Sequence, residues 1–264
     1  MTSPRRDEID EINAIDTIDH KAPHEPLTSY YSDEPARRLW LRGIFDRTAS
    51  DYDAIERAMA FGSGSWYRNR ALRLAGLARG MRVLDVGMGT GLVTKEAVAI
   101  TGDAALVTGV DPSPGMVSEA HLPMGVETRI GTAENLPCDS AAYDFLSMGF
   151  ALRHVSDLAK AFDEYFRVLA PGGRLCVLEI TRPAHGMGVA ALKFYMRGVV
   201  PMIARIVGKK GESVELMRYY WDTIEACVPP DTVIAAIERA GFANVRRDVE
   251  LGIFSAYCAT KPAA

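Results

Sequence analysis

Gly87, Gly89 and Gly91 alternate along VLDVGMGTGL (83–92), between an apolar run and a stretch of helical character. Glycine lets the backbone approach a ligand closely and adopts positive φ without steric cost, so such a turn can wrap a small molecule. The same spacing also serves purely structural turns, and its surroundings decide its chemistry. A dinucleotide fingerprint would place a third glycine at position 92, where this chain has Leu92. Asp85 stands two residues before the first glycine. An acid in that turn suits a cationic amino acid group better than a pyrophosphate. Asp111 ends the next apolar run, ALVTGVD (105–111). A carboxylate there can accept from both hydroxyls of a ribose, or it can cap the helix that follows Pro112. Together these residues fit S-adenosylmethionine, which carries an ammonium and a sulfonium but no phosphate, better than a nicotinamide dinucleotide.

Short apolar runs must hold these residues in place. MRVLDV (81–86), ALVTGVD (105–111), VETRI (126–130), YDFLSMG (143–149) and RLCVLEI (174–180) read as strands. Helical patterns separate several of them, the clearest being LAKAFDEYFRVL (158–169). Such alternation predicts a parallel sheet with helices on both faces. After a helix at about 231–240, NVRRDVEL (244–251) and IFSAYCAT (253–260) are joined by one glycine. They must therefore be antiparallel, because a parallel pair needs a crossover. The expectation is an α/β, doubly wound, mostly parallel seven-stranded sheet closed by a C-terminal antiparallel hairpin. The glycine loop and Asp111 would lie at the carboxyl ends of its strands, where open sheets of this kind bind ligands.

VLDVGMGTG, GVDPSPGMV, GTAENLPC and RVLAPGGRLCVLEITRP resemble the class I S-adenosylmethionine-dependent methyltransferases. FDRTASDYD (45–53), AFGSGSWYR (60–68) and GFALRHV (149–155) are similar to the ubiquinone/menaquinone-biosynthesis C-methyltransferases. The resemblance implies that Gly87, Gly89, Thr90 and Gly91 wrap the methionine part of the cofactor, and that Asp111 holds the ribose. It implies further that Thr132, Ala133 and Glu134 border the adenine and that Gly149 lies beside the sulfonium. Methylating an aromatic carbon needs electron density from a neighbouring phenolate, so a cation or a base near that oxygen is required. Arg153 and His154 would supply them, and Tyr52 would close over the pocket. The family has asparagine where His154 stands; histidine is an ordinary base at neutral pH and suits O-methylation as well. The implied enzyme methylates an apolar small molecule, at carbon of a phenol or quinol. The alternatives are transfer to O or N of another small acceptor, or a binding protein that keeps the fold without turnover.

Thirty basic and thirty-four acidic residues in 264 give a net charge of −4, which disfavours a nucleic-acid surface. Four scattered cysteines without a CxxC pair predict neither a disulfide framework nor a zinc site, and no metal is expected. The charged N-terminus is no signal peptide, and no run of about 18 uncharged apolar residues spans a bilayer. A cytoplasmic location follows, with a membrane-surface contact through 192–210, where aromatics and methionines mix with basic residues. Residues 1–38 read as an acidic, mobile extension, with a short helix suggested by Ile9, Ile12, Ile15 and Ile18. The domain would occupy 39–264, with 182–228 as a lid on the acceptor side.

Overall fold

The computed structural model describes residues 22–208 and 211–263. Its sheet has seven strands in the order β3-β2-β1-β4-β5-β7-β6. These are β1 (Val83–Val86), β2 (Val107–Asp111), β3 (Glu127–Ile130), β4 (Tyr143–Gly149), β5 (Leu169–Ile180), β6 (Ala243–Glu250) and β7 (Phe254–Thr260). The first five pair in parallel, while β7 runs antiparallel to both β5 and β6. β1 and β2 are buried at every position, the pattern of strands covered on both faces. The expected doubly wound sheet and closing hairpin are both present. β5 begins earlier than the sequence suggests, with Leu169 already opposite Tyr143 and a register shift before Phe145.

Helix ends carry the side-chain chemistry that starts them. Asp33 accepts from the Ala36 amide at 2.8 Å and begins α1 (Glu34–Met59), with Pro35 in its first turn. Asp157 accepts from Lys160 N at 3.1 Å and opens α5 (Leu158–Val168). Two core clusters flank the sheet. Leu84, Leu146 and Val177 meet α5 and α9 (Pro230–Arg239) through Phe162, Tyr165 and Ile237. Val83, Phe145 and Cys176 meet α2 (Gly64–Leu74) and α3 (Leu92–Thr101) through Leu72 and Ala97 on the other face. Between β2 and β3 lies the single-turn α4 (Pro114–Ser118).

A third cluster forms a cap over the carboxyl ends of the strands. It joins α1 to the segment after β5, which folds as α6 (Gly186–Phe194), a π-helical turn, α7 (Val200–Val207) and α8 (Glu212–Ala226). Ile44, Ile55, Met196, Val200, Leu216 and Trp221 are its buried centre. The stretch Gly186–Val207, with mean hydropathy 1.3, is long and apolar enough to cross a membrane. Its Leu192, Met196, Val200 and Ala204 nevertheless belong to the cap's core.

The boundary expected at residue 38 moves. Tyr31 and Arg37 are buried, and Arg37 donates to the carbonyl oxygens of Arg153 (3.0 Å) and Val155 (3.1 Å). Tyr30 donates to Asp222 at 2.7 Å and packs edge-on against Tyr219. Residues 22–38 are therefore part of the domain: the aromatics at their end fill the cap, which composition averaged over 1–38 conceals. The helix suggested by Ile9 to Ile18 lies outside the described residues.

Candidate active site

The turn after β1 and the end of β2, hydrogen-bonded to each other, form one wall of a cavity of about 540 Å³. Gly87 and Gly89 both take positive φ, +66° and +56°. A Cβ on Gly87 would stand 2.7 Å from Ala151 Cβ, whereas one on Gly89 would meet nothing within 4 Å. Gly89 thus presents open backbone to the cavity. Its N–H donates to Asp111 Oδ2 at 2.8 Å, and Ser113 N–H donates to Oδ1 at 2.8 Å. Burial pushes the Asp111 carboxyl up to about 6, against the pull of those two amides. The opposite wall is Thr132, Ala133 and Glu134. Glu134 is anchored by the backbone amides of Ser156 and Asp157, and Ser156 donates its hydroxyl to Glu34 on α1. The volume suits a ligand of a few hundred daltons.

A second cavity of about 690 Å³ adjoins the first. Tyr52, Gly87, Gly89, Gly149, Phe150 and Tyr220 border both. Beyond that shared edge the second chamber is mostly apolar, with Ile180, Leu192, Met196, Ile253 and Phe254 in its walls. Its polar lining includes two ion pairs, Arg68–Glu56 and Arg70–Glu250, besides Arg153. Arg153, 1% exposed, is ion-paired with the equally buried Glu179, and its Nε donates to Thr223 Oγ1 at 3.2 Å. Its guanidinium sits 5.6 Å from the centroid of the Tyr220 ring, a cation–π arrangement. Tyr220 donates its hydroxyl to Tyr52 Oη at 3.0 Å. Burial raises the pKa of both tyrosines, so both are neutral phenols.

The sequence-derived residues divide accordingly. Asp111, Thr132, Ala133 and Glu134 line the first chamber, Arg153 and Thr90 the second, and Tyr52, Gly87, Gly89 and Gly149 their junction. His154 borders the first chamber rather than the second. Its ring lies among Phe45, Tyr219 and Tyr220, and neither nitrogen finds a hydrogen-bond partner among the described residues. Burial first, then Arg153 and Arg37, pull its pKa well below the ordinary value, so the imidazole is neutral.

Two of the expected residues line neither chamber. Asp85 does not face either chamber: it is fully buried and accepts from Thr94 Oγ1 (2.6 Å) and Ser147 Oγ (2.8 Å). It fastens α3 and β4 to β1. Its counterpart in burial, Asp111, keeps the cavity side. Gly91 also lines neither chamber; it has φ +81° at the start of α3, and a Cβ there would strike Leu122 at 2.3 Å. Its role is to let the chain enter α3 tightly. Tyr220 and Glu179 are the residues that the sequence reading missed. Glu179 had a signal, a lone acid inside the apolar strand RLCVLEI. Tyr220 had only the aromatic run Tyr219–Trp221 in the lid segment.

An α/β sheet of order 3-2-1-4-5-7-6 with two joined chambers at its strand ends defines a methyltransferase of the Rossmann-like class. Solved structures agree on the fold. An S-adenosylmethionine-dependent methyltransferase from Thermotoga maritima superposes with TM-score 0.58 at 22% identity, over 83% of this chain and 98% of that one. Phosphoethanolamine N-methyltransferase 2 of Haemonchus contortus gives 0.59 at 16% identity, over 84% and 60%. A family model described as the ubiE/COQ5 methyltransferase family matches residues 33–261, and the chain belongs to that family. It is 34% identical over 223 residues to the ubiquinone/menaquinone biosynthesis C-methyltransferase UbiE of Syntrophotalea carbinolica, covering 82% of this chain and 92% of the relative. It is 29% identical over 225 residues to the demethylmenaquinone methyltransferase of Clavibacter sepedonicus, covering 83% and 89%. The protein is an enzyme that uses S-adenosylmethionine, and the first chamber fits it: open backbone at Gly89 and a half-satisfied carboxylate at Asp111 suit a nucleoside with a cationic arm.

Proposed function

We propose that this enzyme methylates a carbon of a phenolic or quinol-like acceptor held in the second chamber. One observation carries the reading: a largely apolar chamber shares its wall with the cofactor chamber, and where the two meet the Tyr52–Tyr220 hydroxyl pair stands beside the Arg153 guanidinium. An aromatic acceptor fills such a space, and its ring oxygen needs what Arg153 and Tyr52 offer, positive potential and a hydrogen-bond donor. The names of the quinone-biosynthesis relatives support the same acceptor class. S-adenosylmethionine, when bound, supplies an electrophilic methyl group on a positively charged sulfur.

The chain's own residues do the remainder. Backbone at Gly87 and Gly89 gives close approach, Asp111 holds the ribose hydroxyls, and Thr132, Ala133 and Glu134 flank the adenine. Gly149, whose missing Cβ admits Val93, borders the junction where the chambers meet and would lie beside the sulfonium. Arg153 favours the ionised form of the acceptor oxygen, and Tyr52 donates to it. His154, neutral and unpartnered, is the available base beside Tyr220. Those two free nitrogens also favour a second reading, in which His154 deprotonates a hydroxyl or amine directly and O or N is methylated.

The exposed side of the segment 186–207 carries Phe194 (73% exposed) and Ile206 (75%) beside Arg205, with Lys193 and Arg197 paired to Glu225 and Asp222. This surface supports a peripheral position on the cytoplasmic side of a membrane, from which a lipophilic acceptor would be drawn. Sedimentation with anionic and with neutral vesicles tests it: retention on neither removes the membrane contact.

Labelled methyl transfer onto demethyl-quinols, simple phenols and phospholipid amines tests the reaction, with product identification and a His154→Asn variant alongside. A C-methylated quinol with the variant still active is expected. An O- or N-methylated product, abolished in the variant, replaces this reading with the second one.

A further inference from the structure

Tyr220 sits on α8, far along the chain from the glycine loop, yet it borders both chambers. Its hydroxyl donates to Tyr52 Oη at 3.0 Å. Tyr52 therefore receives a hydrogen bond, while no described group accepts its own hydrogen. Arg153 is held against the same stretch of α8. Its Nε donates to Thr223 Oγ1, Thr223 donates to the carbonyl oxygen of Tyr220 at 2.9 Å, and its guanidinium lies over the Tyr220 ring. His154 also packs on that ring, at 5.9 Å between centroids. A hydroxyl that already accepts a hydrogen bond becomes a better donor, and a cation near a phenol ring strengthens that phenol as a donor.

We infer that Tyr220 is a positioning residue for methyl transfer: it fixes the Tyr52 hydroxyl as the donor to the acceptor's ring oxygen and relays the charge of Arg153 to it. The chain of donation runs from Tyr220 to Tyr52 to the acceptor oxygen. It rests on the phenolic reading of the acceptor in so far as that oxygen must gain negative charge during transfer. In this arrangement the guanidinium of Arg153, fixed by Glu179, lies over the Tyr220 ring and acts on the acceptor through Tyr220. The lid helix then does more than cover the chamber; it sets the acidity of what the chamber holds.

The test compares Tyr220→Phe, Tyr52→Phe and the double variant with the wild-type chain. Tyr220→Phe keeps the ring and its cation–π contact and removes only the donor. It is expected to lower kcat with the best phenolic acceptor about tenfold at neutral pH, with cofactor affinity unchanged within about twofold. The acid limb of the kcat profile should move up by about one pH unit, because the bound phenol ionises less readily. The double variant should be no slower than Tyr52→Phe alone. A wild-type profile in Tyr220→Phe, or losses that multiply in the double variant, would overturn the inference. A second measurement separates it from the acceptor reading. With S-adenosylhomocysteine present, 4-nitrophenol is titrated in the chamber by its phenolate absorbance. An upward shift of its pKa in Tyr220→Phe supports the relay, and no shift overturns it whatever the natural acceptor. Failure of the wild-type chain to methylate any phenol overturns the acceptor reading instead.

Discussion

The glycine turn of the first chamber is shaped by main chain, whereas the Tyr52–Tyr220 and Arg153–Glu179 pairs of the second join side chains distant in sequence. In the first, Gly87 and Gly89 expose backbone and Asp111 takes two backbone amides, all within one strand–turn–strand neighbourhood. In the second, Tyr52 meets Tyr220 across 168 residues and Arg153 meets Glu179 across 26. A site made of backbone demands particular residues at particular places in the chain. A site made of packed side chains demands only that the right groups arrive together. The first can serve many acceptors unchanged, while the second is free to vary with each.

The difference can be broken most sharply at the buried ion pair. Arg153→Met should destabilise the fold by about 3–5 kcal/mol, because it leaves the Glu179 carboxylate buried alone. Urea unfolding measures this, and Arg153→Met with Glu179→Leu should recover most of the stability while transfer remains lost. Recovery of transfer in the double variant would show that the pair serves packing only. On the other side of the junction, Asp111→Ala should weaken cofactor binding about 100-fold, or about 2–3 kcal/mol, through the lost ribose contact and two orphaned amides. Calorimetry with S-adenosylhomocysteine checks it, and melting in its absence should change much less than in Arg153→Met.

A finer contrast lies between the two buried aspartates. Burial raises the Asp85 carboxyl to about 6, so the folded chain keeps a proton that the unfolded chain releases from about pH 4 upward. Stability from this group is therefore greatest below that window and is lost as pH rises through about 6. Asp85→Asn should remove a fall of about 3 kcal/mol between pH 4 and pH 7, with cofactor affinity little changed. Asp111, raised similarly, keeps its own share of the slope. Unfolding curves across that range decide it; a large loss of cofactor affinity in Asp85→Asn would return Asp85 to the binding site. The smallest effect is expected at His154. Its neutral state persists well below pH 6.5, so the pH profile should show no histidine limb near neutrality, and its appearance would contradict the burial described above.

The alternation of strands and helices, the closing hairpin and the glycine turn after β1 were legible because each follows from local spacing. Leu92 in place of glycine and the one-residue link at Gly252 each excluded an alternative outright. The direction of the Asp85 side chain was not legible, because spacing places it in the turn but does not say which way it points; Thr94 and Ser147 reveal that. The boundary at 38 was misread because Tyr30, Tyr31 and Arg37 look like surface residues until α8 is beside them. Tyr220 could not be singled out among the aromatics of α8, since its partners are defined by the cap's packing.

Arg37 has a consequence for how the protein is made. Its carbonyl partners lie 116 and 118 residues further on, and the aromatics beside it pack on Tyr219. During synthesis α1 emerges first and then waits, with its apolar stripe uncovered, until α8 has left the ribosome. Contacts that far apart in sequence form slowly. The hold of Arg37 on the turn 153–155 is therefore among the slower contacts of the fold to form.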